Sequence, residues 1–250
     1  RLMAIIDKPS EYFNTKLYTG NGSTNAITGV NFEPDFLWIK GRSGARNHSL
    51  FDIVRGNDKR IISNTTGAET TETSVTSFDT DGFTLDSGTT SNANGETFVA
   101  WNWKAGGSAS SNSDGSITSS VSANQDAGFS IVSYTGTGAN ATVGHGLGVA
   151  PKMIIVKSRS GGGSAYTWGV YHASTGATKY FELNSASGEA NASTPWNNTA
   201  PTSSVFNIGT WSSVNANTQT YVAYCFAEKQ GFSKFGSYTG NGNADGTFVY

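Results

Sequence analysis

The chain repeats itself, and this constrains its fold more than any single motif does. Residues Tyr18 to Ser43 and Tyr134 to Ser160 carry the same features in the same order. Each copy opens on Tyr-Thr-Gly-x-Gly, with Gly20 and Gly22 in one and Gly136 and Gly138 in the other. Each then passes a proline, Pro34 or Pro151, and enters an apolar run that ends in lysine. The runs are Phe36-Leu37-Trp38-Ile39-Lys40 and Met153-Ile154-Ile155-Val156-Lys157, closed by Arg42-Ser43 and Arg159-Ser160. A later block, Asn92-Ala93-Asn94 to Trp101, is answered by Asn215-Ala216-Asn217 to Tyr224. The offset grows from 116 residues at Tyr18 and Tyr134 to 123 at Phe98 and Tyr221, so the second copy carries inserted loop residues. The opening returns once more at Tyr238.

This pattern predicts an N-terminal arm over 1–13, a first repeat over 14–106 and a second over 128–229. Residues 107–127, rich in Gly, Ser and Asn, read as a linker or an edge strand. Residues 230–250 read as the start of a third repeat or as closing strands. Met3 reads as a natural initiator.

Inside each repeat the apolar runs are short, β-branched or aromatic, and punctuated by Gly, Pro and Asn, which is strand and turn chemistry. The best helix candidate, Thr66 to Glu72, is weakened by its threonines and glycine. The expected fold is all-β, two tandem antiparallel β-sandwiches. A propeller is excluded because the repeat is more than twice a blade of about 40–45 residues. Alternation puts Phe36 and Trp38 on one face of their strand and Leu37 and Ile39 on the other. The strand ending at Trp103 has large side chains on both faces, Phe98 against Val99, Trp101 and Trp103. That is more apolar surface than one small sandwich buries, and it predicts packing between units or between chains.

Only 14% of residues are charged, against about a quarter in ordinary domains, and the net charge is -2. With no basic block, nucleic acid is excluded as a partner. No stretch reaches the roughly 18 apolar residues of a membrane span, so membrane insertion is not expected. The single cysteine, Cys225, sits in an apolar run and reads as a buried small hydrophobe.

Catalytic signatures are missing. His48, His145 and His172 have no metal-ligand spacing and read as surface or loop residues. Asp79 and Asp81 lack the glutamate of a calcium loop and read as turn caps. No carboxylate pair recurs between the repeats, and no nucleophile motif is present. The expectation is a non-enzymatic chain with no cofactor and no metal. Arg42 and Arg159 occupy matched turn positions, where an arginine bonding backbone carbonyls is favoured over a ligand contact. Trp38 and Trp101 lie in strands and read as core. Trp196, flanked by Pro195, Asn197 and Asn198, and Trp211, before Ser212 and Ser213, lie in polar loops. These four, Trp196, Asn197, Asn198 and Trp211, are the ligand or subunit-contact candidates.

The repeated pair of blocks resembles a family of repeat modules in structural, tail-fibre-like proteins of marine tailed bacteriophages, the cyanophage type. The resemblance covers Tyr18 to Trp103, Phe129 to Ala227 and the piece from Phe232. It implies modules like the concanavalin-like jelly roll and a virion component made in the host cytoplasm. It also implies other virion proteins as partners and self-association, with the trimer common to phage fibres. Three functions then compete: a tail-fibre-like protein binding host-surface glycan, a decoration or assembly protein with no glycan site, and a polysaccharide-degrading tailspike-like enzyme.

Overall fold

The computed structural model describes residues 5–248; Met3, read above as an initiator, lies outside the described residues. The first repeat comprises β1 (Phe13–Thr19), β2 (Asn25–Thr28), β3 (Phe36–Gly41), β4 (Ser49–Asp52), β5 (Gly56–Ile62), β6 (Thr70–Thr71), β7 (Val75–Asp79), β8 (Gly82–Leu85), the short helix α1 (Thr89–Asn92) and β9 (Thr97–Trp103). Two strands follow, β10 (Ser110–Asn112) and β11 (Ser119–Asn124). The second repeat comprises β12 (Phe129–Thr135), β13 (Ala141–Gly144), β14 (Met153–Ser158), β15 (Gly169–His172), β16 (Lys179–Glu182), β17 (Ala190–Asn191), β18 (Val205–Ile208), the short helix α2 (Ser212–Asn215) and β19 (Thr220–Phe226). The chain is all-β and its named strands pair antiparallel. Thr66 to Glu72 is not helical and supplies β6 instead.

The two repeats have the same strand order. The large sheet of the first runs β1-β9-β3-β4-β5-β6, and the second runs β12-β19-β14-β15-β16-β17. Register matches as well: Phe36 and Met153 oppose Trp103 and Phe226, and Trp38 and Ile155 oppose Trp101 and Tyr224. Each large sheet carries a small one, β2-β8-β7 in the first repeat and β13-β18 in the second. The second repeat has no counterpart of β7, in keeping with its loss of the Phe78 to Phe83 loop.

The repeat signature has a structural explanation. Asn92 and Asn215, each ending its short helix and fully buried, hold the Tyr-Thr-Gly-x-Gly turn. Asn92 Oδ1 accepts the Asn21 N–H at 3.1 Å, and Asn215 Oδ1 accepts the Thr137 N–H at 2.7 Å. The tyrosine of each turn reaches back, with Tyr18 donating to the Ser91 carbonyl and Tyr134 to the Val214 carbonyl, both at 2.7 Å. Glycine is required where the two turns touch. A Cβ on Gly20 would lie 2.2 Å from the Ala93 carbonyl oxygen, and one on Gly136 would lie 2.3 Å from that of Ala216. Any side chain there would force the backbones apart.

The third copy of the motif lacks this partner among the described residues. Gly242 keeps the positive φ of Gly22, but Tyr238 is 70% exposed. Residues 230–248 contribute no named strand, so they do not close the second sheet. Phe232 and Phe235 pack back instead, against Tyr12 and Phe226. The stretch read as a linker or an edge strand forms strands: β10 and β11 extend the large sheet past β12, and Ile117 bridges to Val143 of the small one.

Alternation decides what each face buries. Leu37 and Ile39 face the small sheet of their own repeat, with Phe51, Phe83 and Phe98. Ile154 and Val156 do the same in the second repeat, with Phe206 and Tyr221. The opposite faces of the two large sheets meet each other. Phe36, Leu50 and Ile61 of the first form one cluster with Phe129, Ile155 and Tyr224 of the second. The surplus aromatic residues are therefore spent between the units, and the result is a sandwich-like stack of four layers.

Candidate functional site

The junction between the two large sheets collects the chain's unusual chemistry: a buried polar clamp at one side and an aromatic cleft at the other. The clamp starts from Arg55, whose side chain is wholly buried. Its Nε donates to Asp52 Oδ2 at 2.5 Å and its Nη1 to Glu69 Oε2 at 3.0 Å. Its Nη2 meets the Leu50 carbonyl and, at 3.3 Å, the Tyr224 hydroxyl of the second repeat. Tyr224 donates in turn to Asp52 Oδ2 at 2.8 Å. Burial and the neighbouring Asp52 hold the tyrosine neutral, with its ionisation pushed well above the ordinary range. Every donor of the guanidinium group that faces the interior is thus answered, which a buried charge requires.

Glu69 extends the clamp. Arg159 forks onto it with both contacts at 3.0 Å, and the Glu69 N–H donates to the Arg159 carbonyl at 2.8 Å. Burial alone would raise its carboxyl, but the bonds from Arg159 and the charge of Arg55 outweigh that and hold it below the usual range. Trp168 of the second repeat donates to the Ile62 and Thr65 carbonyls of the first, each at 3.1 Å. The loop from Ile62 to Glu69 is in this way docked along the second repeat.

Lys157 completes the junction. Its Nζ donates to the Thr66 carbonyl at 3.2 Å and the Tyr166 carbonyl at 2.7 Å, with no carboxylate in ion-pair range among the described residues. Desolvation lowers its pKa to about 8. From about pH 8 to 9 the unfolded chain therefore holds this proton more firmly than the folded chain, and stability is expected to rise with pH. Above about pH 9 the buried Cys225 opposes the slope, and above about pH 10 the buried Tyr134 and Tyr224, which also keep their protons when folded, reverse it. Urea midpoints measured from pH 7 to 9 should climb in the wild type and stay flatter in Lys157→Met. Equal slopes in the two proteins would refute this assignment.

The cleft is a cavity of about 440 Å³ between the sheets. Phe36, Trp38 and Trp103 line it from the first repeat, and Met153, Ile155 and Phe226 from the second. Phe232 and Phe235 stand at its mouth. Trp38, Trp103, Met153 and Phe226 are only partly buried, which marks where the cavity meets solvent. Trp38 turns its Nε1 to His48 Nδ1 at 2.8 Å and packs edge-on to Trp101 at 6.3 Å.

Several expectations need correction. Trp196 is 1% exposed, packed edge-on to Tyr171 in the second core, and is no ligand platform. Its polar neighbours turn the backbone while its ring packs into the core of the second repeat. Trp211 is partly buried, 4.7 Å from Tyr180, and covers the edge of the same core. Asn197 and Asn198 are exposed, with φ of 50° and 49°, and Asn197 accepts from Asn140 at 2.9 Å. They shape a turn and have no exposed tryptophan beside them. Arg42 is exposed, whereas Arg159 pairs with a carboxylate of the other repeat, so neither side chain bonds a backbone carbonyl. Trp38 and Trp101, read as core, are partly buried at the cleft side of their sheet. His145 is fully buried, held by Thr202 and Leu147, and desolvation lowers its pKa.

The expectations for Asp81 and Cys225 agree with the structure. Asp81 caps the N–H groups of Gly29 and Asn31 at 2.9 and 2.6 Å, a turn role. Cys225 is buried and its pKa is pushed up to about 12 by desolvation. Among the described residues no group of three or more metal-ligating side chains gathers, and no helix is long and apolar enough to cross a membrane.

Sequence reasoning missed the clamp that Asp52, Arg55 and Glu69 form, although a turn-capping role for Asp52 agrees with its bonds to the Val54 and Arg55 N–H groups. The available signal was asymmetry: in a weakly charged chain, these positions carry charge in the first repeat, and Asp52 is matched in register by His172 in the second.

Residues 8–250 match the model of a protein family described as a domain of unknown function, DUF7483. No curated protein and no solved structure matches the chain.

Proposed function

We propose, for a chain that belongs to the DUF7483 family of unknown function, that it is a non-enzymatic structural protein of a virion, of the tail-fibre type. Its two repeats are modules of the concanavalin-like jelly-roll kind, used as rigid building blocks. One observation carries this reading. Three pairs of residues that recur between the repeats, Tyr18 and Tyr134, Gly20 and Gly136, Asn92 and Asn215, are spent on stitching turns together. What was duplicated is scaffold, and a duplicated scaffold fused through a buried clamp resists bending between its units. A fibre or shell component needs that property, whereas a catalyst would be expected to repeat a site. With Trp196 buried, the assembly form of the reading is favoured over glycan attachment. The partners are then other virion proteins and further copies of this chain.

The test is to locate the chain. Particles of the phage that encodes it should contain the protein in stoichiometric amount by mass spectrometry, and gold-labelled antibody should decorate a fixed place on the particle. A chain that is absent from purified particles, or that shortens host polysaccharide, would overturn the proposal.

A further inference from the structure

The aromatic cleft between the large sheets is more than a packing gap. Its walls are almost wholly apolar, and the polar atoms of Trp168, Tyr224 and Trp38 are used elsewhere. Trp168 Nε1 is bonded to the Ile62 and Thr65 carbonyls, the Tyr224 hydroxyl to Asp52, and Trp38 Nε1 to His48. A sugar in this space would leave most of its hydroxyls unpaired, a heavy penalty in a dry site. An apolar chain would lose nothing and would gain burial at about 25 cal/mol per Å². The volume, about 440 Å³, falls within the range of small-ligand sites and is too small for a protein segment of any length.

The mouth has the opposite character. Lys234 lines the cleft at its rim, and an adjoining surface hollow adds Lys152 and Lys229, with Glu228 as the one acid there. None of the three lysines has an ion-pair partner among the described residues. Lys234 is exposed, so its ammonium group is free to meet a ligand head group. Apolar walls ending at uncompensated positive charge fit a molecule with an apolar tail and an anionic head.

We propose that the cleft binds a single-chain anionic amphiphile, a medium-chain carboxylate. Its acyl chain lies in the cavity lined by Trp38, Trp103, Met153 and Phe226, and its carboxylate meets Lys234. Phe232 and Phe235 close over the tail.

The test uses the full chain and its own fluorescence, since Trp38, Trp103 and Trp168 line the cleft. Titration with 11-bromoundecanoic acid should quench emission to saturation, with a dissociation constant on the order of 10 μM. Unlabelled undecanoate should compete for the site. Lys234→Glu, a change at an exposed residue, should weaken the acid roughly tenfold and leave binding of 11-bromoundecanol unchanged. Circular dichroism of that variant should match the wild type. Absence of saturable quenching would overturn the proposal. So would equal binding of acid and alcohol by both proteins, since no head-group contact would then exist. Binding to anionic vesicles without binding to monomeric acid would also overturn it, in favour of a membrane-surface contact.

Discussion

Replacing Arg55 with methionine is expected to cost about 3–5 kcal/mol of unfolding free energy, the range for breaking a buried ion pair from one side. The magnitude comes from what is left behind. Asp52, also wholly buried, would keep only the Tyr224 hydroxyl and the Val54 and Arg55 N–H groups, with no counter-charge at the 2.5 Å position. Glu69 would keep Arg159 and so should remain ionised. Adding Asp52→Asn to Arg55→Met should recover part of the loss, because the orphaned charge is then removed. Urea unfolding of the three proteins measures this directly. A loss below about 1 kcal/mol for the single variant would mean that solvent reaches the clamp and screens it.

Phe36→Ala is expected to be about as damaging, at about 3–5 kcal/mol for a buried phenylalanine, and to act differently. Phe36 is 1% exposed and lies at the centre of the junction. Its ring stacks on Tyr224 at 4.3 Å and on Phe129 at 5.9 Å, both from the second repeat, and contacts Trp103 at 5.1 Å within its own. Truncation removes contacts between the units while leaving each unit's inner core, built on Leu37 and Ile39 in the first repeat, in place. The wild type should therefore melt in one calorimetric transition. Phe36→Ala should melt in two, the first repeat preceding, because the coupling that makes the units cooperative is what has been cut. A single transition shifted to lower temperature would show that the clamp alone couples them.

Much of this architecture is legible in the chain. The strand runs, the two-residue alternation that divides Phe36 and Trp38 from Leu37 and Ile39, and the glycine turns all follow from neighbours in sequence. Internal repetition added the topology, since two copies of one pattern had to make the same sheet twice. Even the surplus of aromatic residues around Trp101 and Trp103 pointed to burial beyond a single sandwich.

The fate of individual side chains was not legible, and the matched pairs show why. Lys40 and Lys157 end equivalent strands, yet Lys40 bonds carbonyls of its own loop while Lys157 is buried against Thr66 of the other repeat. Arg42 is exposed where Arg159 grips Glu69. Trp196 sits among polar neighbours and is buried, whereas Trp38 sits among apolar ones and is partly exposed. Sequence alone set the local conformation at each of these positions, because φ, ψ and pleat depend on residues a few places away. Only the tertiary structure decided which copy of each residue meets water, a carbonyl or a counter-charge. The two large sheets face each other through contacts between residues far apart in the chain, such as Asp52 with Tyr224, and no local pattern encodes them.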